Sequence, residues 1–237
     1  PCGTARMGAD VYFAGRAGSD GFGDMIRETL GGSGVEMSQL QRDPGASGMS
    51  AAIVNADGEY GAVIVSAANL NIDAALIRIP VGTTLVLLQN EIPEEVNAAV
   101  AQRAKAAGAQ VWLNAAPARA LPDALMQVVD LLIVNRIEAA FYDAEQGAQR
   151  LTTLGAEGVS YQGQQYLAHK VDVVSAHGAG DMFVGALAAR VVQDQSLAQA
   201  IPYAQAAAAL HVATDLADRP TLNAKKIDAF MVAQASR

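Results

Sequence analysis

The chain beyond Thr83 alternates short apolar segments with helical segments, and this alternation constrains the fold more than any other feature. Continuous apolar runs bounded by turn residues are typical of strands that are covered on both faces. Proline and acidic residues before a helical segment, with glycine after it, mark helix ends. The predicted strands are 85–88, 111–113, 131–134 and 171–174, and the predicted helices are 93–107, 122–129, 138–150, 181–192, 197–214 and 225–235. This order predicts an α/β fold with a mainly parallel sheet and helices on both faces.

The first third of the chain does not show this regular alternation. A strand is predicted at 10–15 and a short helix at 22–30. Two apolar runs, 50–55 and 61–66, flank Asp57-Gly58, which predicts a β-hairpin. One difficulty remains further along. The predicted helix 138–150 leads into Thr152 without an apolar strand between them, although a parallel sheet needs one there.

Charge and composition exclude several classes of protein. The formal net charge of −8 and the lack of a basic stripe argue against nucleic acid or an anionic membrane as partners. No apolar run approaches the roughly 18 residues of a membrane span, and the amino-terminal residues do not resemble a secretion signal. A single cysteine, Cys2, rules out an internal disulfide framework. We therefore expect a cytoplasmic protein whose residues 1–237 form one domain.

The segment 171–187 contains the candidate catalytic residues. A predicted strand ends near Ser175, the small residues Gly178, Ala179 and Gly180 form a turn, and a helix begins at about Asp181. Backbone amides at a helix start can bind a developing negative charge. A carboxylate beside such amides would repel a bound anion. Its presence there is explained if it accepts a proton during the reaction. Phosphoryl transfer requires both groups, a base for the attacking hydroxyl and donors for the transferred group.

Other interpretations of this segment stay open. A dinucleotide fingerprint would need a glycine where Phe183 stands. His177 and Asp181 could be metal ligands on one helix face, but no third ligand is near. A structural glycine turn with a capping aspartate, or a nucleophile pair of Ser175 and His177, are the remaining alternatives.

Several segments together resemble the ribokinase-like carbohydrate kinases, also called the phosphofructokinase-B family, and the similarity spans nearly the whole chain. The Gly178–Asp181 motif resembles the signature of that family, and other motifs follow in the family's order. They are Arg6–Val11 with Gly15, Gly18, Asp20 and Phe22-Gly23, then Gln89–Pro93, Asn114–Arg119, Asn135–Glu138 and Thr153–Gly158. The resemblance implies a three-layer α/β/α fold and ATP-dependent transfer of phosphate to a hydroxyl of a sugar or nucleoside-like substrate.

The resemblance also implies roles for individual residues. Asp181 becomes the catalytic base, and the amides of Gly178, Ala179 and Gly180 form the anion hole. Asn135 and Glu138 act near the phosphates and Mg²⁺, Glu138 through water, although without the resemblance a polar helix start is the preferred explanation of both. Thr153, Gly155 and Gly158 line ATP, although the sequence alone favours a simple turn there, and Gln205 lies near adenine unless it is merely a polar helix residue. Glu91 contacts the sugar or caps the helix after it, and Gly3 is the candidate remnant of the family's glycine-rich sugar segment.

Departures from the family pattern limit what the resemblance implies. Ser175-Ala176-His177 replaces a segment whose aspartate helps to hold a monovalent cation, so potassium activation is not expected. His169, His211 and Trp112 are interpreted as surface or core residues. A small β lid formed by segments around 11–14 and 50–66 would close over the sugar, and the resemblance allows a homodimer. The alternatives are a nucleoside or fructose kinase of the same family and a non-catalytic sugar- or nucleotide-binding relative.

Overall fold

The computed structural model describes residues 1–54, 60–142 and 147–235. The helices are α1 (Cys2–Arg6), α2 (Gly21–Gly32), α3 (Glu94–Ala106), α4 (Asp123–Met126), α5 (Arg136–Ala139), α6 (Ala179–Val191), α7 (Leu197–Ala213) and α8 (Ala224–Ala235). The strands are β1 (Tyr12–Ala17), β2 (Glu36–Arg42), β3 (Met49–Val54), β4 (Tyr60–Val65), β5 (Leu85–Gln89), β6 (Gln110–Asn114), β7 (Leu131–Asn135), β8 (Gln149–Thr153), β9 (Val159–Tyr161) and β10 (Gln164–Tyr166).

A six-stranded sheet with the order β10-β9-β8-β7-β6-β5 forms the centre of the molecule. Strands β5 to β8 are parallel, and β9 and β10 continue the sheet in antiparallel pairing. Since parallel strands end at the same edge of a sheet, the residues that follow β5, β7 and β8 come together at that edge. The predicted α/β architecture is confirmed.

Helices cover both faces of this sheet, because successive residues of a strand point to opposite sides. Trp112 of β6 and Leu151 of β8 lie in one core with α6, α7 and α8. Val111 and Leu113, the neighbours of Trp112, lie in a second core with α3 and α4. The interpretation of Trp112 as a core residue is confirmed, since its exposed fraction is 1%.

The predicted helix 138–150 is wrong. Helix α5 ends at Ala139, and residues 149–153 form β8, the strand that the parallel sheet required. This strand escaped prediction because only Leu151 of its sequence Gln-Arg-Leu-Thr-Thr is fully buried. Its other face carries the half-buried Arg150 and Thr152, and Thr152 pairs with Ser160 of β9. The sequence is polar on that face, so no apolar run is visible.

The predicted strand 171–174 is also wrong. Residues 167–178 contain no regular strand, and Val173 and Val174 are largely exposed. The amides of Val174 and Ser175 donate to the carbonyl of Val212 near the end of α7, at 2.8 and 3.2 Å. These bonds replace pairing with another strand, so an alternating Val-Asp-Val-Val segment stays irregular.

The early part of the chain forms two small sheets. Strand β1 pairs in parallel with β2, and β3 pairs antiparallel with β4. The predicted strand 10–15, helix 22–30 and hairpin pairing are confirmed, while the Asp57-Gly58 turn lies outside the described residues. Strand β2 and helix α1 were not predicted. Among the described residues, no helix has the length and apolar character needed to cross a membrane.

Candidate active site

Asp181 lies in the first turn of α6 with its side chain exposed. The helix begins at Ala179, two residues before the predicted start, with Gly178 as its N-cap in the left-handed conformation at φ 78°. Glycine adopts this conformation without the steric cost that a side chain brings. The glycine turn thus places an ionisable carboxylate at the open end of a helix.

The amides around Asp181 differ in their availability. The Ala179 N–H donates to the Ala176 carbonyl at 3.2 Å, whereas the amides of Gly178 and Gly180 have no partner within the described ranges. Amides of the first helical turn lack an intrahelical acceptor and can bind an anion. Of the three predicted anion-hole amides, those of Gly178 and Gly180 are therefore free to act.

The space beside the two glycines also differs. A Cβ atom built on Gly180 would meet no atom within 4 Å, so the helix mouth is open on that side. A Cβ atom on Gly178 would lie 3.0 Å from Nε2 of His211. The loop therefore packs against His211 at Gly178, whereas the space beside Gly180 is open.

Two side chains from the end of the chain support the loop before the glycines. His211 Nε2 lies 3.1 Å from the His177 carbonyl. The same carbonyl accepts from Nη1 of Arg219 at 2.8 Å, and the Ser175 carbonyl accepts from Nη2 of Arg219 at 2.6 Å. Sequence reasoning missed Arg219 and assigned His211 only to surface or core. In the sequence, Arg219 is marked only by its place in the short connection between α7 and α8.

Glu91 follows β5 at the carboxyl edge of the sheet, where the negative charge of Asp181 acts on its carboxylate. The Glu91 side chain keeps an exposed surface, but the surrounding protein atoms remove part of its hydration. This desolvation raises the pKa of Glu91, and the negative charge of Asp181 raises it further. The structure brings the two predicted residues together. It gives no support for Glu91 as a helix cap, since α3 has no side-chain cap bond.

Asn135 and Glu138 form a capping box at the start of α5. The Glu138 amide donates to Oδ1 of Asn135 and the Asn135 amide donates to Oε2 of Glu138, both at 2.8 Å. Asn135 is exposed, while Glu138 is 8% exposed. Both residues therefore have a structural role, as the polar-helix-start interpretation expected, and the second carboxylate oxygen of Glu138 remains for other contacts.

The predicted nucleotide loop follows β8. Thr153 is the register partner of Asn135, so these two predicted residues are neighbours at the sheet edge. Gly155 and Gly158 both have positive φ, and a Cβ atom on Gly158 would lie 1.9 Å from the Tyr166 carbonyl oxygen. Only glycine fits at that position.

Gln205 lies behind this loop. Its Nε2 donates to the Tyr166 carbonyl at 2.7 Å, and the residue is 7% exposed. Its amide group thus holds β10 and the adjacent Gly158 against α7. This contact favours the helix-residue interpretation over direct contact with adenine.

Gly3 lies in α1, which packs against α6. A Cβ atom on Gly3 would lie 3.5 Å from the sulfur of Met182, the residue after Asp181. The amino-terminal helix therefore packs against the first turns of α6, on the side of the buried Met182. Within the described ranges, no group of three or more histidine, cysteine or acidic side chains could hold a metal ion.

Comparisons with known proteins identify the family of the chain. The model of the pfkB carbohydrate kinase family matches residues 2–223. A ribokinase of Staphylococcus aureus is 31% identical over 241 residues, covering 88% of this chain and 78% of the relative. The structure of Arabidopsis thaliana ribokinase complexed with ribose and ATP has a TM-score of 0.84 at 28% identity, covering 97% of this chain and 84% of that one. A ribokinase structure from Thermotoga maritima has a TM-score of 0.85 at 24% identity, covering 98% and 84%, and shows the same fold. The chain therefore belongs to the pfkB family of ATP-dependent carbohydrate kinases.

Proposed function

We propose that the chain transfers the γ-phosphoryl group of ATP to a hydroxyl of ribose or a closely related sugar. The observation that carries this proposal is the exposed Asp181 carboxylate in the first turn of α6, beside the free amides of Gly178 and Gly180. Glu91 lies within electrostatic range of that carboxylate. Ribose is the first candidate because the relatives described above are ribokinases.

Asp181 acts as the general base in the proposed reaction. It accepts the proton of the substrate hydroxyl while the hydroxyl oxygen forms a bond to the γ-phosphorus. The bond between that phosphorus and the bridging oxygen breaks, and ADP leaves with the electron pair. The amides of Gly178 and Gly180 donate to the oxygens of the transferred group, whose negative charge they stabilise. Glu91 accepts a hydrogen bond from another hydroxyl of the sugar and so orients it.

The residues after β7 and β8 bind the nucleotide in this proposal. Thr153, Gly155 and Gly158 line ATP, and Asn135 lies next to Thr153 at the same sheet edge. Mg²⁺ arrives with the phosphates, because it keeps several waters and needs few protein ligands. Glu138 would hold one of those waters through the carboxylate oxygen that its capping bond leaves over.

A lid completes the proposed active site. The two small sheets that contain β1 and β3–β4 would close over the sugar, while the rest of residues 1–237 forms the body of a single domain. Closure excludes water, which would otherwise accept the phosphate. Each of these sheets has two strands, and neither is hydrogen-bonded to the six-stranded sheet.

The substitution Asp181→Asn tests the proposal. We expect kcat to fall by about 10³-fold or more, since a positioned base contributes roughly 10²–10⁴-fold. The dissociation constant of a non-hydrolysable ATP analogue should change little, because the neutral amide keeps the size of the side chain. The assay couples ADP release to a visible readout, with ribose, fructose and nucleosides as alternative acceptors.

Asp194→Asn is the matched control. Asp194 is exposed just beyond the other end of α6, at φ 66°, a conformation that asparagine also tolerates. This variant should keep full activity. Unchanged kcat in Asp181→Asn would reject the role of the base. Absence of ADP release from the native protein with every acceptor would favour a non-catalytic binding relative.

A further inference from the structure

Arg219 is a buried arginine whose guanidinium bonds to main-chain carbonyls. Its exposed fraction is 7%, and it lies in the short 3-10 turn that follows α7. Nε donates to the Thr214 carbonyl at 3.2 Å, in addition to the bonds from Nη1 and Nη2 to His177 and Ser175. No carboxylate lies within ion-pair distance in the described ranges. A buried charge is costly unless it is compensated, and here three carbonyl dipoles supply the compensation.

Two of these carbonyls belong to the loop that leads into the anion hole. The Ser175 and His177 carbonyls lie three residues and one residue before Gly178. The loop has no strand pairing, so its main bonds are those to Arg219, to His211 and to the carbonyl of Val212. The position of the Gly178 amide therefore depends on a side chain that does not touch the substrate.

The peptide unit between His177 and Gly178 connects Arg219 to the anion hole directly. Its C=O accepts from Arg219 and meets His211, and its N–H is the free amide of Gly178. In a trans peptide these two groups point in opposite directions. A positive donor on the oxygen polarises the peptide and makes its N–H a stronger donor. Arg219 thus binds the carbonyl side of the peptide whose N–H, that of Gly178, would face the transferred phosphate.

We propose that Arg219 is a positioning residue for phosphoryl transfer, which fixes the loop at Ser175–Gly178 and strengthens the Gly178 amide as an anion donor. This inference rests on the proposed function, since it assigns a task to the anion hole. It predicts that loss of the guanidinium lowers turnover more than it lowers nucleotide affinity. The transferred group gains charge in the transition state, and the polarised amide matters most there.

Arg103 provides a matched control. Its guanidinium also donates to three main-chain carbonyls, with Nε on Ala99, Nη1 on Ile77 and Nη2 on Ala74 at 3.1, 2.8 and 2.5 Å. It lies at the end of α3, and its carbonyl partners belong to α3 and to the connection before β5. Removing it costs the same kind of bonds without touching the loop at Ser175–Gly178.

The experiment compares Arg219→Ala with Arg103→Ala. Each variant is measured for its urea unfolding midpoint, for the dissociation constant of a non-hydrolysable ATP analogue, and for kcat with ribose. We expect both midpoints to fall. We expect kcat of Arg219→Ala to fall roughly 10- to 100-fold, because small misplacements of catalytic groups have effects of that size, while Arg103→Ala stays within about twofold. Methylguanidinium at low millimolar concentration should restore part of the turnover of Arg219→Ala only.

Lysine variants at the same two positions keep the comparison possible if an alanine variant does not fold. If Arg219→Ala does not fold, Arg219→Lys keeps the charge but loses the forked geometry, and Arg103→Lys is its control. Equal kcat losses at positions 219 and 103, or a folded Arg219→Ala variant that methylguanidinium does not rescue, would overturn the proposal. The proposed function is tested separately. It fails if Asp181→Asn retains turnover, whatever the effect of the substitutions at Arg219.

Discussion

Gly178 and Gly180 stand two residues apart, yet they meet different physical demands. Gly178 needs its positive φ and lies against His211, whereas Gly180 is helical and has open space where a side chain would be. Nothing in the packing of the described residues explains why position 180 lacks a side chain. The approach of a ligand to the backbone would explain it.

Gly180→Ala should therefore separate stability from function. Alanine in a helix is more stable than glycine, so the free energy of unfolding should rise by up to about 0.5 kcal/mol. The added methyl group would occupy the space in front of the helix amides, and we expect kcat to fall at least about tenfold. Urea unfolding and the ADP-release assay measure the two effects. If activity is unchanged, no ligand approaches that amide.

Gly178→Ala should lower both quantities. The left-handed conformation costs a non-glycine residue roughly 1 kcal/mol or more, and the new Cβ would press on Nε2 of His211. We expect a lower unfolding midpoint together with reduced turnover. A variant as stable as the native protein would show that the loop relaxes easily, which its bonds to Arg219 argue against.

His211 makes the loop sensitive to acid. With Nε2 as donor to the His177 carbonyl, Nδ1 is a buried atom without a partner among the described residues. Burial lowers the pKa of His211, and the charge of Arg219 acts in the same direction, while the bond to His177 opposes both. The unfolded chain therefore binds a proton more readily, so this stability is present above about pH 6.5 and is lost as the pH falls through the lowered pKa.

His211→Gln tests this pH dependence. Glutamine keeps an N–H donor but does not titrate, so unfolding midpoints measured from pH 8 to pH 5 should fall less steeply than those of the native protein. The native and variant curves should differ mainly below about pH 6.5. Parallel curves over the whole range would show that His211 is protonated equally in the folded and unfolded chain.

Sequence reasoning found the groups proposed to act on the substrate better than the groups that hold those segments in place. Asp181 and Glu91 stand next to recognisable motifs, and the structure brings them together. Arg219 carries no motif, because its partners are main-chain carbonyls that any sequence provides. Such a role depends on how distant segments meet, which a single sequence does not show.

Elements with a regular apolar pattern were predicted well, and those without one were missed. Strands β5, β6 and β7 consist mostly of apolar residues; β6 and β7 are covered on both faces, whereas the edge strand β5 leaves Leu87 exposed. Strand β8 has one apolar face and was assigned to a helix. The difference is physical, because a strand with a polar, half-open face loses the continuous run that identifies a buried strand.

Helix α5 offers a test of Mg²⁺ binding at the scale of one element. Glu138→Gln keeps the capping box, since glutamine also accepts at that position, but removes the charge. We expect the free energy of unfolding to change by less than about 0.5 kcal/mol. If Glu138 holds a water of the metal, the Mg²⁺ concentration for half-maximal kcat should rise several-fold. An unchanged Mg²⁺ titration would leave Glu138 with its capping role alone.

The whole molecule contains a well-covered six-stranded sheet and two small sheets, of which the β3–β4 hairpin has little cover. The main sheet has apolar cores on both faces. The β3–β4 hairpin, by contrast, leaves Val63, Ile64 and Val65 about half exposed. Successive residues point to opposite faces, so the hairpin is open on both sides at residues 63–65. A two-stranded sheet is marginal alone, and apolar exposure on this scale favours a partner surface.

We expect the native protein to form a dimer through one face of this hairpin. Val63 and Val65 pair with Ala51 and Met49, so that face is apolar, whereas Ile64 pairs with Ser50 on the other. The double substitution Val63→Lys and Val65→Lys should therefore yield a monomer in sedimentation equilibrium, because two buried lysines would be desolvated without partners. Ile64→Lys places a single charge on the opposite face and should leave the dimer intact. A monomeric native protein would show that the exposed face does not bind a second copy of the chain, and equal dissociation by both variants would show that the dimer does not depend on this face in particular.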